Sequence, residues 1–279
     1  MNRTSWKRDQ TIGRLSWSNS GLFAGRRPRA AAVLVALFCA WAPTAPPRLA
    51  AATAGAGHPR VAIVFEHAGA GLADLQPIYA MHRRFAIGIF PHMRYSAQIA
   101  REAPSHGLVP MLHLPMESNN PADLGPVSGI VWVRMSDAEI TRTVEGDLDS
   151  VPGVVGVDNH GGSRATQDPR VMRAALAVVK ARGLWFEENR NSPRSVATEL
   201  ARRVGLRTLQ VTEYLDQPPD GIASKLRSLI ATAQRQGWAV GVGHIATGTP
   251  QVVRRLLPEF DRAGVEIVPL TEFAAAGVQ

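Results

Sequence analysis

The sequence predicts a single α/β domain on a parallel sheet that closes, or nearly closes, into a barrel. Three observations predict it. From Arg60 onward, short apolar runs alternate with apolar patterns of helical period. The short runs are continuous rather than alternating, as strands covered on both faces require. Chemistry-bearing residues follow these runs directly, at the strand ends where parallel barrels place their sites. An open doubly wound sheet is the alternative that the same pattern allows.

The elements follow in order. Residues 61–65 read as the first strand and residues 72–82 as a helix. Residues 86–90 are the second strand, 95–106 a helix and 109–114 the third strand. The stretch SNNPADLGPVSG reads as a loop too polar and broken to pack inside. Ser136, with Glu139 three residues later, predicts a capping box and a helix. Residues 154–157 are strand four, and Asp168-Pro169 opens the next helix. Its apolar face is Val171, Met172, Ala175, Leu176 and Val179. Residues 184–186 are strand five, Ser192-Pro193 opens another helix, and residues 207–211 are strand six. Ile222, Leu226, Leu229 and Ala233 mark a helix, and residues 239–243 strand seven. Val252, Val253, Leu256, Leu257 and Phe260 mark another helix, before a last strand at 266–268.

Charge is distributed unevenly. Residues 1–60 hold nine Lys or Arg and one acid, whereas residues 61–279 hold 22 basic and 22 acidic residues. The folded part is therefore electroneutral, which excludes a basic groove for nucleic acid. Arg26, Arg27 and Arg29 precede a 13-residue apolar run at 30–42, followed by small residues and prolines. This is the order of an export signal, and the run is short for a membrane span of about 20 residues. Residues 1–57 are read as a signal peptide or uncleaved anchor with a linker. Residues 58–279 are then the exported domain, periplasmic or otherwise outside the cytoplasm, touching the inner membrane only through such an anchor. The one cysteine, Cys39, lies in the apolar run, so the domain beyond it has no thiol or disulfide.

The polar residues collect at strand ends. Glu66-His67 follow strand one, Pro91-His92 strand two, and His113 ends strand three with Glu117 four residues on. Asp158-Asn159-His160 follow strand four, Glu187-Glu188 strand five, and His244 ends strand seven. Five of the eight histidines fall on this rim. His67, His113, His160 and His244 are expected to line one cleft.

The segments VAIVFEHAG (61–69), HLPME (113–117), VDNHGGSR (157–164), FEENRNSPRS (186–195) and Gly243-His244 resemble the divergent polysaccharide deacetylase family. The resemblance runs from about Arg60 to Phe273. It implies a distorted (β/α) barrel of about seven parallel strands and a divalent metal, zinc by preference. It implies Glu66 as base, His67, His113 and His160 as metal ligands, and His244 as a second catalytic residue. Glu188 stands where the family tends to have Asp and joins the catalytic set. His92, Glu117, Asn159 and Arg190 are the expected substrate contacts, Arg190 holding a carboxylate or bracing Glu188.

The chain departs from the family's pair of acids at the end of strand one, which Glu66 and His67 replace. Gly161 stands where the family often carries Met. The implied reaction is hydrolysis of an N-acetyl or related acyl group on an envelope carbohydrate, a C–N bond other than a peptide bond. The alternative reading is a catalytically silent barrel that binds glycan or an envelope protein partner.

Overall fold

The computed structural model describes residues 57–276, and the leader reading lies outside these described residues. The strands are β1 (Arg60–Ala68), β2 (Ala86–Ile89), β3 (Val109–Met116), β4 (Gly156–Gly161), β5 (Trp185–Glu188), β6 (Thr208–Gln210), β7 (Glu213–Tyr214), β8 (Trp238–His244) and β9 (Glu266–Ile267). The helices are α1 (Gln76–Tyr79), α2 (Ser96–Glu102), α3 (Asp137–Ser150), α4 (Pro169–Ala181), α5 (Ala197–Arg203), α6 (Ile222–Gln236), α7 (Thr249–Arg262) and α8 (Leu270–Ala276).

The sheet runs β6-β5-β4-β3-β2-β1-β8-β7, with β9 added beside β1. Every pairing is parallel. β6 and β7 are successive parts of one extended run. Val211 N donates to Glu188 O at 3.2 Å, and Thr212 N donates to Val240 O at 2.9 Å. This run joins both ends of the sheet, which curls into a distorted barrel of a single α/β domain. Apolar side chains fill both sides of the wall. Ala62, Val64, Met111, Trp185, Val240 and Val242 fill the interior. Ile63, Phe65, Ile87, Leu112, Leu226 and Phe260 pack the wall against the helices.

The capping residues act as the sequence predicts. Ser136 Oγ accepts from Glu139 N at 3.3 Å, and Glu139 Oε2 accepts from Ser136 N at 2.7 Å. Asp168 Oδ1 accepts from Arg170 N and Val171 N at the start of α4.

Three local expectations are corrected. The predicted helix at 72–82 reduces to a 3-10 turn (Ala73–Leu75) and α1, with Pro77 near its start. Proline lacks the N–H that a helix running through it would use. The helix expected from Ser192-Pro193 begins only at Ala197. Ser192 Oγ and Ser195 Oγ accept from Arg194 N and Ala197 N, and hold turns instead. The loop after β3 does enter the protein. It forms a 3-10 turn (Pro121–Leu124), and Leu124 is buried.

Candidate metal and catalytic site

The interior of the barrel changes character along its length. Side chains of period two give Val64 then Glu66, Met111 then His113, Trp185 then Glu187, and Val242 then His244. An apolar layer is thus capped by an ionisable one. Gly88 leaves room for it, since a Cβ there would lie 3.2 Å from Glu66 Cγ and 3.4 Å from Asp158 Oδ2.

Strict alternation would send Glu66 and His67 to opposite faces. The β1–β2 register shifts between Phe65 and Ala68, and His67 adopts φ 72°. This bulge turns both side chains to the cleft. A non-glycine residue in left-handed backbone costs on the order of 1–3 kcal/mol, a cost typical of functional sites. Phe90 stacks on the His67 ring, with centroids 5.0 Å apart.

His67, His113 and His160 each offer one ring nitrogen within 4.8 Å of the others. The outer nitrogens of two of them are already used. His113 Nδ1 lies 2.6 Å from Asp158 Oδ2, and His160 Nε2 lies 3.1 Å from Leu124 O. A carbonyl only accepts, so His160 Nε2 carries the proton and its Nδ1 is bare. An ionised Asp158 fixes His113 the same way, leaving Nε2 bare. These two bare nitrogens face each other at 3.0 Å. His67 Nε2 is buried without a partner. Three lone pairs converging in this manner fit a cation, and the partners behind them match the carboxylate and carbonyl supports of metal-bound histidines. Burial holds His67, His113 and His160 well below the usual imidazole range, His113 to about 4 and His160 to about 3. All three are therefore neutral imidazoles at neutral pH.

Glu66 sits between this cluster and His244. Its Oε2 lies 3.7 Å from His113 Nε2 and 3.9 Å from His244 Nε2. Its Oε1 accepts from Asn189 Nδ2 at 2.7 Å. Burial pushes its carboxyl up to about 8, a proton affinity suited to a base working near neutrality. His244 is different. Burial acts to lower it, but the hydrogen bond to Asp216 wins and raises it. Burial likewise acts to raise Asp216, yet the bonds from His244 and Thr247 hold it well below the usual carboxylate range.

The cleft has a volume of about 540 Å³. Of the residues singled out from the sequence, Glu66, His67, His113, Asn159, His160 and His244 line it. Four others lie elsewhere. His92 binds Asp147 at 2.8 Å. Glu117 ties two loops together, accepting from Arg164 and from Val133 N, both at 2.7 Å. Glu188 turns outward to Thr198 at the start of α5. Arg190 lines an adjoining groove with Glu199 and Arg202.

Sequence reasoning assigned no role to four residues that complete the site. Asp158 supports His113, Asn189 holds Glu66, and Asp216 holds His244. Tyr214 OH donates to Asn189 O at 2.6 Å. Strand period held a signal for Asp158, which lies two residues before His160 and so shares its face. Of the Glu187-Glu188 pair, Glu187 faces inward, fully buried, with neither carboxylate oxygen partnered. Burial raises its pKa well above the ordinary value.

The family profile described as divergent polysaccharide deacetylase matches residues 63–274. The chain is similar to an uncharacterized protein of Haemophilus influenzae, 29% identical over 205 residues and covering 72% of each chain. It is similar to the uncharacterized protein YibQ of Escherichia coli, 24% identical over 201 residues, covering 71% of this chain and 62% of that one. Its fold is similar to the crystal structure of an uncharacterized protein of Agrobacterium tumefaciens. That match has a TM-score of 0.71 and 20% identity, over 78% of this chain and 90% of the other.

Proposed function

The chain belongs to the divergent polysaccharide deacetylase family, and on that premise we propose that it is a metal-dependent hydrolase removing N-acetyl-type groups from a carbohydrate outside the cytoplasm. The observation that carries the reading is the convergence of three neutral imidazoles beside Glu66. His67, His113 and His160 would hold the ion, and three imidazoles with an open fourth position suit zinc. When bound, such an ion acts as a Lewis acid on water and on the acyl carbonyl.

The chain's own residues handle the protons. Asn189 occupies Glu66 Oε1, so Oε2 is the oxygen free to take the proton of the attacking water. Water oxygen adds to the acyl carbon as that proton leaves. On the other side, His244 gives a proton to the sugar nitrogen as the C–N bond breaks. Acetate and a free amine are the products. Asp216 raises the proton affinity of His244 and aims its ring for this step. Export rests on the basic flank and the apolar run at 30–42.

Acetate release from N-acetylglucosamine oligomers by the zinc-loaded protein tests the reading. Turnover should vanish on chelation and return with zinc. A protein that binds zinc and glycan but releases no acetate from any acetylated glycan would be the silent barrel instead.

A further inference from the structure

Resting on the deacetylase reading, we propose that the cleft selects an electrically neutral acyl sugar and rejects acidic ones, with Asp123 at its mouth setting the discrimination. Apart from Gly161 and Ala246, the lining consists of hydroxyls, amides, imidazoles and the carboxylates of Glu66 and Asp123. Among the described residues, no lysine or arginine lines it. Further acids stand behind the lining, Asp158 against His113 and Asp216 against His244.

The arginines nearest in sequence are turned away. Arg164 follows the lining residue Ser163, yet Glu117 Oε1 holds its guanidinium at 2.7 Å. Arg190 lies between the lining residues Asn189 and Asn191, yet its backbone is left-handed, φ 50°, and it lines a different groove. A sugar carboxylate or phosphate in the cleft would therefore meet no lysine or arginine, and the imidazole of His244 is already paired with Asp216; recognition of either group is ordinarily bidentate through arginine. Asp123 adds repulsion. It sits exposed on the Pro121–Leu124 turn, with Oδ1 held by Asn120 Nδ2 at 3.0 Å. That bond keeps a negative charge at the entrance.

The test compares two probes on the full-length zinc-loaded protein at low salt. One is the tetramer of N-acetylglucosamine. The other is a tetrasaccharide alternating N-acetylglucosamine with N-acetylmuramic acid, which carries carboxylates. The neutral probe should have a kcat/KM at least about tenfold higher, and the gap should narrow as salt screens the exposed charge. Asp123→Lys should shift the ratio towards the acidic probe by about tenfold, while Asp123→Asn shifts it less. Equal or greater turnover of the acidic probe by the wild type would overturn the inference while leaving the deacetylase reading intact. Without turnover of either probe, the deacetylase reading falls, and calorimetric binding decides the selection. Tighter binding of the neutral tetramer would sustain it; equal binding, or binding of neither, would overturn it.

Discussion

Asp216 accepts from His244 twice, from the backbone N–H at 2.6 Å and from ring Nδ1 at 2.9 Å. One carboxylate thus fixes both where the imidazole starts and how it turns. Nε2 is left for the cleft, and the carboxylate raises the ring's proton affinity. Asp216→Asn should lower kcat about 100-fold on the proposed substrate. His244 would then lose its proton at lower pH, so the alkaline limb of the pH–rate profile should move down. An unchanged limb would remove His244 from the role of acid.

His113→Ala and His160→Ala should each lose most of one equivalent of bound zinc, read by elemental analysis of the purified protein. Asp158→Asn should weaken zinc about 10–100-fold without deleting a ligand, because it removes the group that sets the His113 tautomer. Full zinc retention in both alanine variants would refute the three-histidine site.

Glu66→Gln should abolish turnover while leaving zinc content and fold intact, since the amide has nearly the carboxylate's shape but takes no proton. Glu66→Asp tests reach. Shortening the arm by a methylene moves the acid by roughly 1 Å, a displacement worth about 100-fold in rate. A rise in rate would mean that the longer arm is a handicap.

The metal-free protein should be less stable at pH 8 than at pH 6.5. Burial raises Glu66 from 4.5 to about 8 and Asp158 from 3.8 to about 7. Stability from carboxyls kept protonated in the fold is fully present below their unfolded values and is lost as pH rises through the folded ones. The buried histidines act oppositely, but only below their unfolded value of 6.5. Above that pH the acids act in the same direction as His244, whose raised proton affinity also favours the protonated fold, and the loss should be on the order of 1–2 kcal/mol. Zinc should flatten the slope, because it favours the ionised acids beside it. Thermal melts with and without zinc at the two pH values read both effects.

Gly161→Met, which installs the residue the resemblance leads one to expect, should lower Tm by several degrees. Gly161 has φ 62°, and a Cβ there would lie 2.6 Å from Ser118 Oγ and 2.9 Å from Leu124 Cδ2. The added side chain would push away the segment whose carbonyl receives His160. An unaltered Tm would show that this segment yields freely.

The barrel was legible in the sequence because continuous apolar strands and well-capped helices such as α3 and α4 are local signals. The strand-end histidines were legible for the same reason. What escaped was the direction of side chains where the backbone departs from strand period. Nothing in Glu66-His67 announces a bulge. Arg190 looks like a cleft residue until its left-handed backbone turns it aside. Glu188 enters the catalytic set through the resemblance alone, whereas strand five continues through both acids and alternation turns Glu187 inward instead. Asp216 follows β7, a strand of two residues, too short to be read as an element.

The bulge at His67 sets two engineering aims against each other. Glycine takes that backbone without steric penalty, so His67→Gly should yield a metal-free protein harder to melt and a site with only two imidazoles. A screen rewarding heat resistance alone would discard His67 early, while a screen rewarding metal retention would keep it. Position 67 therefore serves as an internal gauge of whether a laboratory lineage of this protein is being selected for durability or for chemistry.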